Sequence, residues 1–124
     1  MRILVTGSRG WTDRDRLCQV LNDIHEHYDY GFELAHGACP NGADAIADEW
    51  AGHCLMDESI HRYRANWDLH GKRAGQMRNE QMVNEFQPDL VVAFWDLKSP
   101  GTKGCINFAL KNGYEVLIIP EVKS

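Results

Sequence analysis

Proline and cysteine are both scarce, at four residues each in a chain of 124. Cys18, Cys39, Cys54 and Cys105 lie far apart with no Cys-x-x-Cys among them, a spacing that suits neither a structural zinc site nor a disulfide framework. Reduced thiols and a cytoplasmic setting are therefore expected, with Cys39, in a loop, the one candidate for a reactive thiol. Basic charge is in deficit as well: 13 Lys and Arg stand against 18 Asp and Glu, a formal net charge of −5. Proteins that wrap duplex DNA neutralise its phosphates with Lys and Arg, and this balance argues against that class. Met1-Arg2-Ile3 enters a strand at once, so neither a leader peptide nor a membrane span is expected. There is no repeat, linker or low-complexity segment, and the length suits one domain over residues 1–124.

The strong nucleotide signatures are missing too. Gly7-Ser8-Arg9-Gly10 lacks the Gly-x-Gly-x-x-Gly spacing of the dinucleotide fingerprint, and no Gly-Lys-Ser/Thr is present, which removes a P-loop kinase or ATPase. His25 and His27 are two apart, on different faces of one predicted helix, and read as surface residues rather than as metal ligands. No metal site and no resident cofactor are expected.

What is present is an alternation of apolar strands with helices. Ile3-Leu4-Val5 before Gly7, and Leu90-Val91-Val92-Ala93-Phe94 before a second glycine loop, read as central parallel strands covered on both faces. Phe32 to His36, a more polar stretch from Glu58 to Tyr63, and Glu115 to Ile119 complete five strands. Asp13 caps a helix carrying Leu17, Val20, Leu21, Ile24 and Tyr28 on one stripe, with Gly31 as its end. Ala43, Ile46, Ala47, Trp50, Ala51 and Cys54 form a small-residue stripe with one large anchor. Residues 65–75 read as a long polar connection into a helix from about Gly75 to Phe86, closed by Pro88. Asp96 to Gly104 is a third glycine loop before a helix with Ile106, Ala109 and Leu110, stopped by Gly113. Right-handed crossovers on both faces give an α/β, three-layer Rossmann-like sandwich around a five-stranded parallel sheet, in the order 3-2-1-4-5.

In such a sheet ligands bind at the carboxyl edge, where strands hand over to helices whose first N–H groups are unpaired. Three strand-to-helix turns here carry glycine beside a hydroxyl, arginine or carboxylate: Gly7 to Trp11, His36 to Asp44, and Gly101 to Thr102. An anionic ligand with phosphate, ribose and a flat base suits those parts. Arg78 beside Asn79 can fork onto two phosphate oxygens. Asp44 can accept from a ribose hydroxyl or hold the facing loop, and Trp11, Trp67 and Trp95 are candidates to stack on a base.

These residues carry a resemblance. Gly7-Ser8-Arg9-x-Trp11, His36-Gly37-x5-Ala43-Asp44 and Gly75-x2-Arg78-Asn79-x2-Met82, followed by Phe94-Trp95 and Gly101-Thr102, resemble the SLOG superfamily. Within it they are similar to the small stand-alone branch related to YspA and YpsA, common in phages and plasmids. The resemblance implies a Rossmann-like fold that binds nucleotides or nucleotide-derived ligands such as NAD- or ADP-ribose-like molecules. Site contacts are then expected at Gly7, Ser8, Arg9, Trp11, His36, Gly37, Gly42, Asp44, Arg78, Asn79, Gly101 and Thr102. The related cytokinin-activating phosphoribohydrolases use a Pro-Gly-Gly-x-Gly-Thr-x-x-Glu loop. Here Ser99 to Cys105 keeps Gly-Thr and lacks the glutamate, and Asn66 stands where that family would put an aspartate.

Three functions follow in order. The first is binding or sensing of a small nucleotide-derived ligand. The second is nucleotide N-glycosidase action, with Asp44 or Asp96 replacing the absent glutamate and Arg78 assisting. The third is a DNA-handling role resting on the Arg62 to Arg78 cluster, disfavoured by the overall acidity. A homodimer is expected, with the Trp67 connection or the Met82 helix as contact surface.

Overall fold

A computed structural model describes residues 1–28 and 31–121. Five strands, β1 (Arg2–Gly7), β2 (Glu33–His36), β3 (Ile60–Arg62), β4 (Leu90–Trp95) and β5 (Val116–Pro120), form one parallel sheet in the order β3-β2-β1-β4-β5. Five α-helices connect them: α1 (Arg14–His27), α2 (Gly42–Cys54), α3 (Trp67–His70), α4 (Ala74–Phe86) and α5 (Pro100–Lys111). The strand order and the parallel sense are those the apolar pattern predicts. β1 and β4 alternate their side chains between two cores, one reason both read as unbroken apolar runs. Ile3, Val5, Val92 and Phe94 meet α1 and α2 through Leu17, Leu21, Ala47 and Trp50, while Leu4 and Val91 meet α4 and α5 through Met82, Val83, Phe86 and Ala109.

Several local expectations change. Residues 65–75 are not an open connection but a helical strap, α3 followed by a 3-10 turn over Gly71–Arg73 and then α4 from Ala74. Asn66 starts it by accepting the Leu69 N–H at 3.1 Å, and Gly71, at φ +56°, turns the chain out of α3. With no buried residue in α3, the strap has no apolar period to betray it. The third glycine loop is shorter than expected, because Pro100 supplies a helical φ at the first position and draws Gly101 to Gly104 into α5. On the helices themselves, Tyr28, Cys54 and Leu110 are exposed rather than inward, and α1 ends at His27, before Gly31. His25 is not a free surface residue: its ring stands edge-on to Phe32 at 4.9 Å and to Trp50 at 5.7 Å. No helix among the described residues is long and apolar enough to cross a membrane.

Candidate functional site

The three loops predicted to converge do so, at the carboxyl edge where β1 lies between β2 and β4. Gly7 ends β1 with no room for a side chain: a Cβ would stand 2.5 Å from the Ala43 Cβ and 2.7 Å from the Phe94 carbonyl. Ser8, buried, then ties three elements together. Its N–H donates to Phe94 O (2.9 Å), its carbonyl accepts from Ala43 N (3.2 Å), and its hydroxyl accepts from Asp96 N (3.0 Å). Gly42, at φ +73°, lets α2 begin directly against the Ser8 and Arg9 carbonyls, which a Cβ would strike.

This packing decides which helix ends are open. The start of α2 is occupied by the Ser8 carbonyl, and α1 is capped by the Asp13 side chain, which accepts from Arg16 N at 3.1 Å outside the cleft. Of the three helices that follow these loops, α5 is the one that presents a first turn without a side-chain cap to the cleft, since the Ser99 hydroxyl is turned away to donate to Asp96 at 2.8 Å.

From the other side Arg78, on α4, donates through Nη1 to the Gly37 carbonyl and through Nε to Asn79 Oδ1 at 2.8 Å, while Asn79 Nδ2 donates to Gly101 O at 3.3 Å. One chain of hydrogen bonds thus runs from the β2 exit across α4 to the first turn of α5. Gly37 permits it, since a Cβ there would lie 2.6 Å from the Arg78 Cζ. The guanidinium keeps Nη2 for a further acceptor.

The resulting cleft has two adjoining lobes, of about 530 and 390 Å³, that share Arg9, Gly37, Cys39, Trp67 and Arg78. The first is floored by Met82 and bounded by Gly7, Ser8, Asp44, Lys72, Asn79 and the Ser99 to Thr102 turn, and the second adds Arg64. Four cations therefore line the cleft, and among the described residues none of them is ion-paired with a carboxylate. The one carboxylate lining it among the described residues is Asp44, 5% exposed, which accepts from Cys39 N at 3.3 Å. Burial raises the pKa of its carboxyl above the ordinary value, opposed by His36, by the Cys39 N–H and by Arg78. Burial and the neighbouring Asp44 also push the Cys39 thiol up.

Of the residues expected in the site, Gly7, Ser8, Arg9, Gly37, Asp44, Arg78, Asn79, Gly101 and Thr102 line the cleft; Trp11, His36, Gly42 and Asp96 do not. Trp11 is in the core, edge-on to Phe94 at 5.4 Å. His36 is buried beneath the loop it supports, its Nδ1 accepting from Ala38 N (2.9 Å) and its Nε2 donating to Asp48 (2.8 Å). Asp96 caps the turn before α5, accepting from Lys98 N, Ser99 N and the Ser99 hydroxyl. Slight burial pushes its carboxyl up, but the Ser99 and Lys98 hydrogen bonds outweigh that and bring it down to about 2. Lys72, Gln76, Met82 and Arg64 also line the walls; Met82 ends the third motif and Arg64 and Lys72 fall in the Arg62 to Arg78 cluster, whereas nothing in the sequence singles out Gln76. The basic cluster divides: Arg62 pairs with Asp48 at 2.7 Å, outside the cleft, while Arg64, Lys72 and Arg78 line it.

A profile of the YspA, cpYpsA-related SLOG family matches residues 1–70. The Gene 61 protein of Mycobacterium phage D29 is 39% identical over 119 residues, covering 94% of each chain. The chain belongs to that SLOG family. Solved structures similar to this SLOG chain share its fold at low identity. The Moco carrier protein from Chlamydomonas reinhardtii aligns at TM-score 0.57 and 17% identity over 97% of this chain and 76% of its own. A universal stress protein in complex with cAMP aligns at 0.52 and 16% over 96% of both. UDP-GlcNAc 2-epimerase from Neisseria meningitidis, bound to UDP-GlcNAc, aligns at 0.58 and 14% over 96% of this chain and 32% of its own.

Proposed function

We propose that the chain acts as one nucleotide-binding domain, whose cleft takes a small phosphorylated, nucleotide-derived ligand and senses or presents it. The observation that carries this reading is the charge of the cleft. In a protein of net charge −5, Arg9, Arg64, Lys72 and Arg78 and the open end of α5 face one carboxylate. Unpaired cations gathered at a helix amino end are the recognition chemistry of phosphate, and a guanidinium already fixed by two hydrogen bonds loses little freedom on binding it. Asp44 supplies the acceptor a ribose hydroxyl needs. Family membership supports the same class of ligand, and two proteins that share the fold are in complex with cAMP and UDP-GlcNAc, which is in keeping with it. Calorimetry with AMP, cyclic AMP, ADP-ribose and NAD is expected to show one site per chain, weakened by salt and lost in Arg78→Ala. Absence of heat with all four removes the proposal.

A turnover reading has one observation in its favour: Asp44 is a cleft carboxyl with a raised pKa, suited to act as a general acid on a departing base. Asp96 does not share that role, its carboxylate being committed to the turn before α5. Free base released from nucleoside monophosphates, and not by Asp44→Asn, is the required result. The proposed assembly is a homodimer, and a monomer mass in light scattering excludes it. The proposed contact surface is the Trp67 strap or the exposed face of α4, which carries Met82 on its buried side.

A further inference from the structure

We infer that Trp67 is the seat for the ligand's planar ring, and that Arg9, which lies over its indole in the free protein, gives up that place to the ring and moves onto the ligand's phosphate. The inference rests on the nucleotide reading above and names the residues that would make the site demand a base as well as an anion.

The four tryptophans are held in two ways. The indole N–H groups of Trp11, Trp50 and Trp95 donate to Asp13 O, Asn22 Oδ1 and Ser99 O respectively. Trp67 has no such bond among the described residues and is 48% exposed, on a wall common to both lobes of the cleft. A large aromatic left in water at a cleft, with nothing fixing its polar edge, is poorly explained by packing. Its position is nevertheless defined. Asn66 caps α3 just before it, and Gly75 gives it room, since a Cβ there would stand 3.3 Å from the Trp67 Cη2.

Arg9 is placed with its Cζ 5.5 Å from the Trp67 ring centroid. A guanidinium is a flat cation, and the face it covers is the one a purine or pyrimidine would use. Arg9 forms no ion pair among the described residues, so its charge is uncommitted. At an exposed site the cation–π contact is weak, whereas a guanidinium gains more from a charge-assisted bond to phosphate. Exchange therefore favours the bound state twice: the indole trades a cation for a stacked ring, and Arg9 trades an aromatic face for an anion. Arg9 borders both lobes and can follow a phosphate into either.

The test compares the four nucleoside 5′-monophosphates with ribose 5-phosphate, which has the anion and sugar but no base, on the full chain. The wild type is expected to prefer its best monophosphate over ribose 5-phosphate by about ten-fold or more. Trp67→Leu should lose that preference while binding ribose 5-phosphate as before, Trp67→Phe should restore most of it, and Arg9→Met should weaken both probes. If Trp67→Leu keeps the preference, or loses equally on both probes, while Arg78→Ala abolishes binding, the ring seat is wrong and the nucleotide reading stands. If the wild type binds no monophosphate but takes cyclic AMP, ADP-ribose or NAD, the same variants are compared on that ligand against ribose 5-phosphate; if it binds none of these, that reading fails and the inference with it.

Discussion

One wall of the cleft is locked and the other is lightly held. Where β1 hands over to α2, Gly7 and Gly42 have no space for a methyl group and the buried Ser8 uses its N–H, its carbonyl and its hydroxyl oxygen on protein partners. Across the cleft, most of the strap from Asn66 to Arg73 is exposed, Leu69 at 70% and Trp67 at 48%, and α3 contributes no buried residue. A site that must hold an anion at fixed geometry needs the first kind of wall, and one that must admit and release a guest needs the second.

Substitutions matched across the two walls should separate most. Gly42→Ala, forced to φ +73° and into the Ser8 carbonyl, is expected to cost about 2–4 kcal/mol in urea unfolding or to prevent folding, whereas Leu69→Ala should stay within about 0.5 kcal/mol. Similar losses from the two would break the comparison. Arg78→Ala comes next. Removing a part-buried donor leaves the Gly37 carbonyl and Asn79 short of a partner, for a loss of about 1–3 kcal/mol, with ligand heat lost as well. Arg78→Lys should recover little, because an ammonium cannot serve Gly37 and Asn79 in the same fork.

Smaller effects test the electrostatics. The Asp44 carboxyl is held above its unfolded pKa, so the stability it contributes is complete below that unfolded value and is lost as pH rises through the folded one. Asp44→Asn keeps an acceptor for the Cys39 N–H and removes the buried charge. It should therefore raise the melting temperature at neutral pH, by an amount that shrinks toward zero as the buffer is taken below the ordinary aspartate range. A variant more stable but weaker in ligand binding would mark Asp44 as kept for function. Asp96 has the opposite sign. Depressed to about 2, it contributes stability above its unfolded pKa that is lost as pH falls from the ordinary value toward 2. Asp96→Ala should cost about 1 kcal/mol, as loss of a cap does, and flatten that acid limb.

The locked wall was the more legible in sequence. Unbroken apolar runs at β1 and β4, glycines at their ends and small residues along α2 are direct consequences of close packing, and they sufficed for the strand order and for the cleft's position. The strap is not legible there because helix periodicity reports an apolar face, and α3 buries none. The place of Trp11 is hidden for a related reason. Nothing local distinguishes an indole that turns under the sheet onto Phe94 from one that stays above it, and that choice is made by the tertiary fold. His36 and Asp96 sat in the right loops, but whether a polar side chain faces a ligand or its own backbone depends on which amides the loop leaves unpaired. Here Ala38, Lys98 and Ser99 supplied them.

The most direct test is a crystal of the full chain soaked in a mixture of nucleoside monophosphates and ADP-ribose, read for where the phosphate settles. Density for a phosphate between the first turn of α5 and the Arg78 guanidinium is the predicted result. A phosphate bound instead at the capped start of α1, or a cleft left with solvent alone at saturating ligand, would contradict the account.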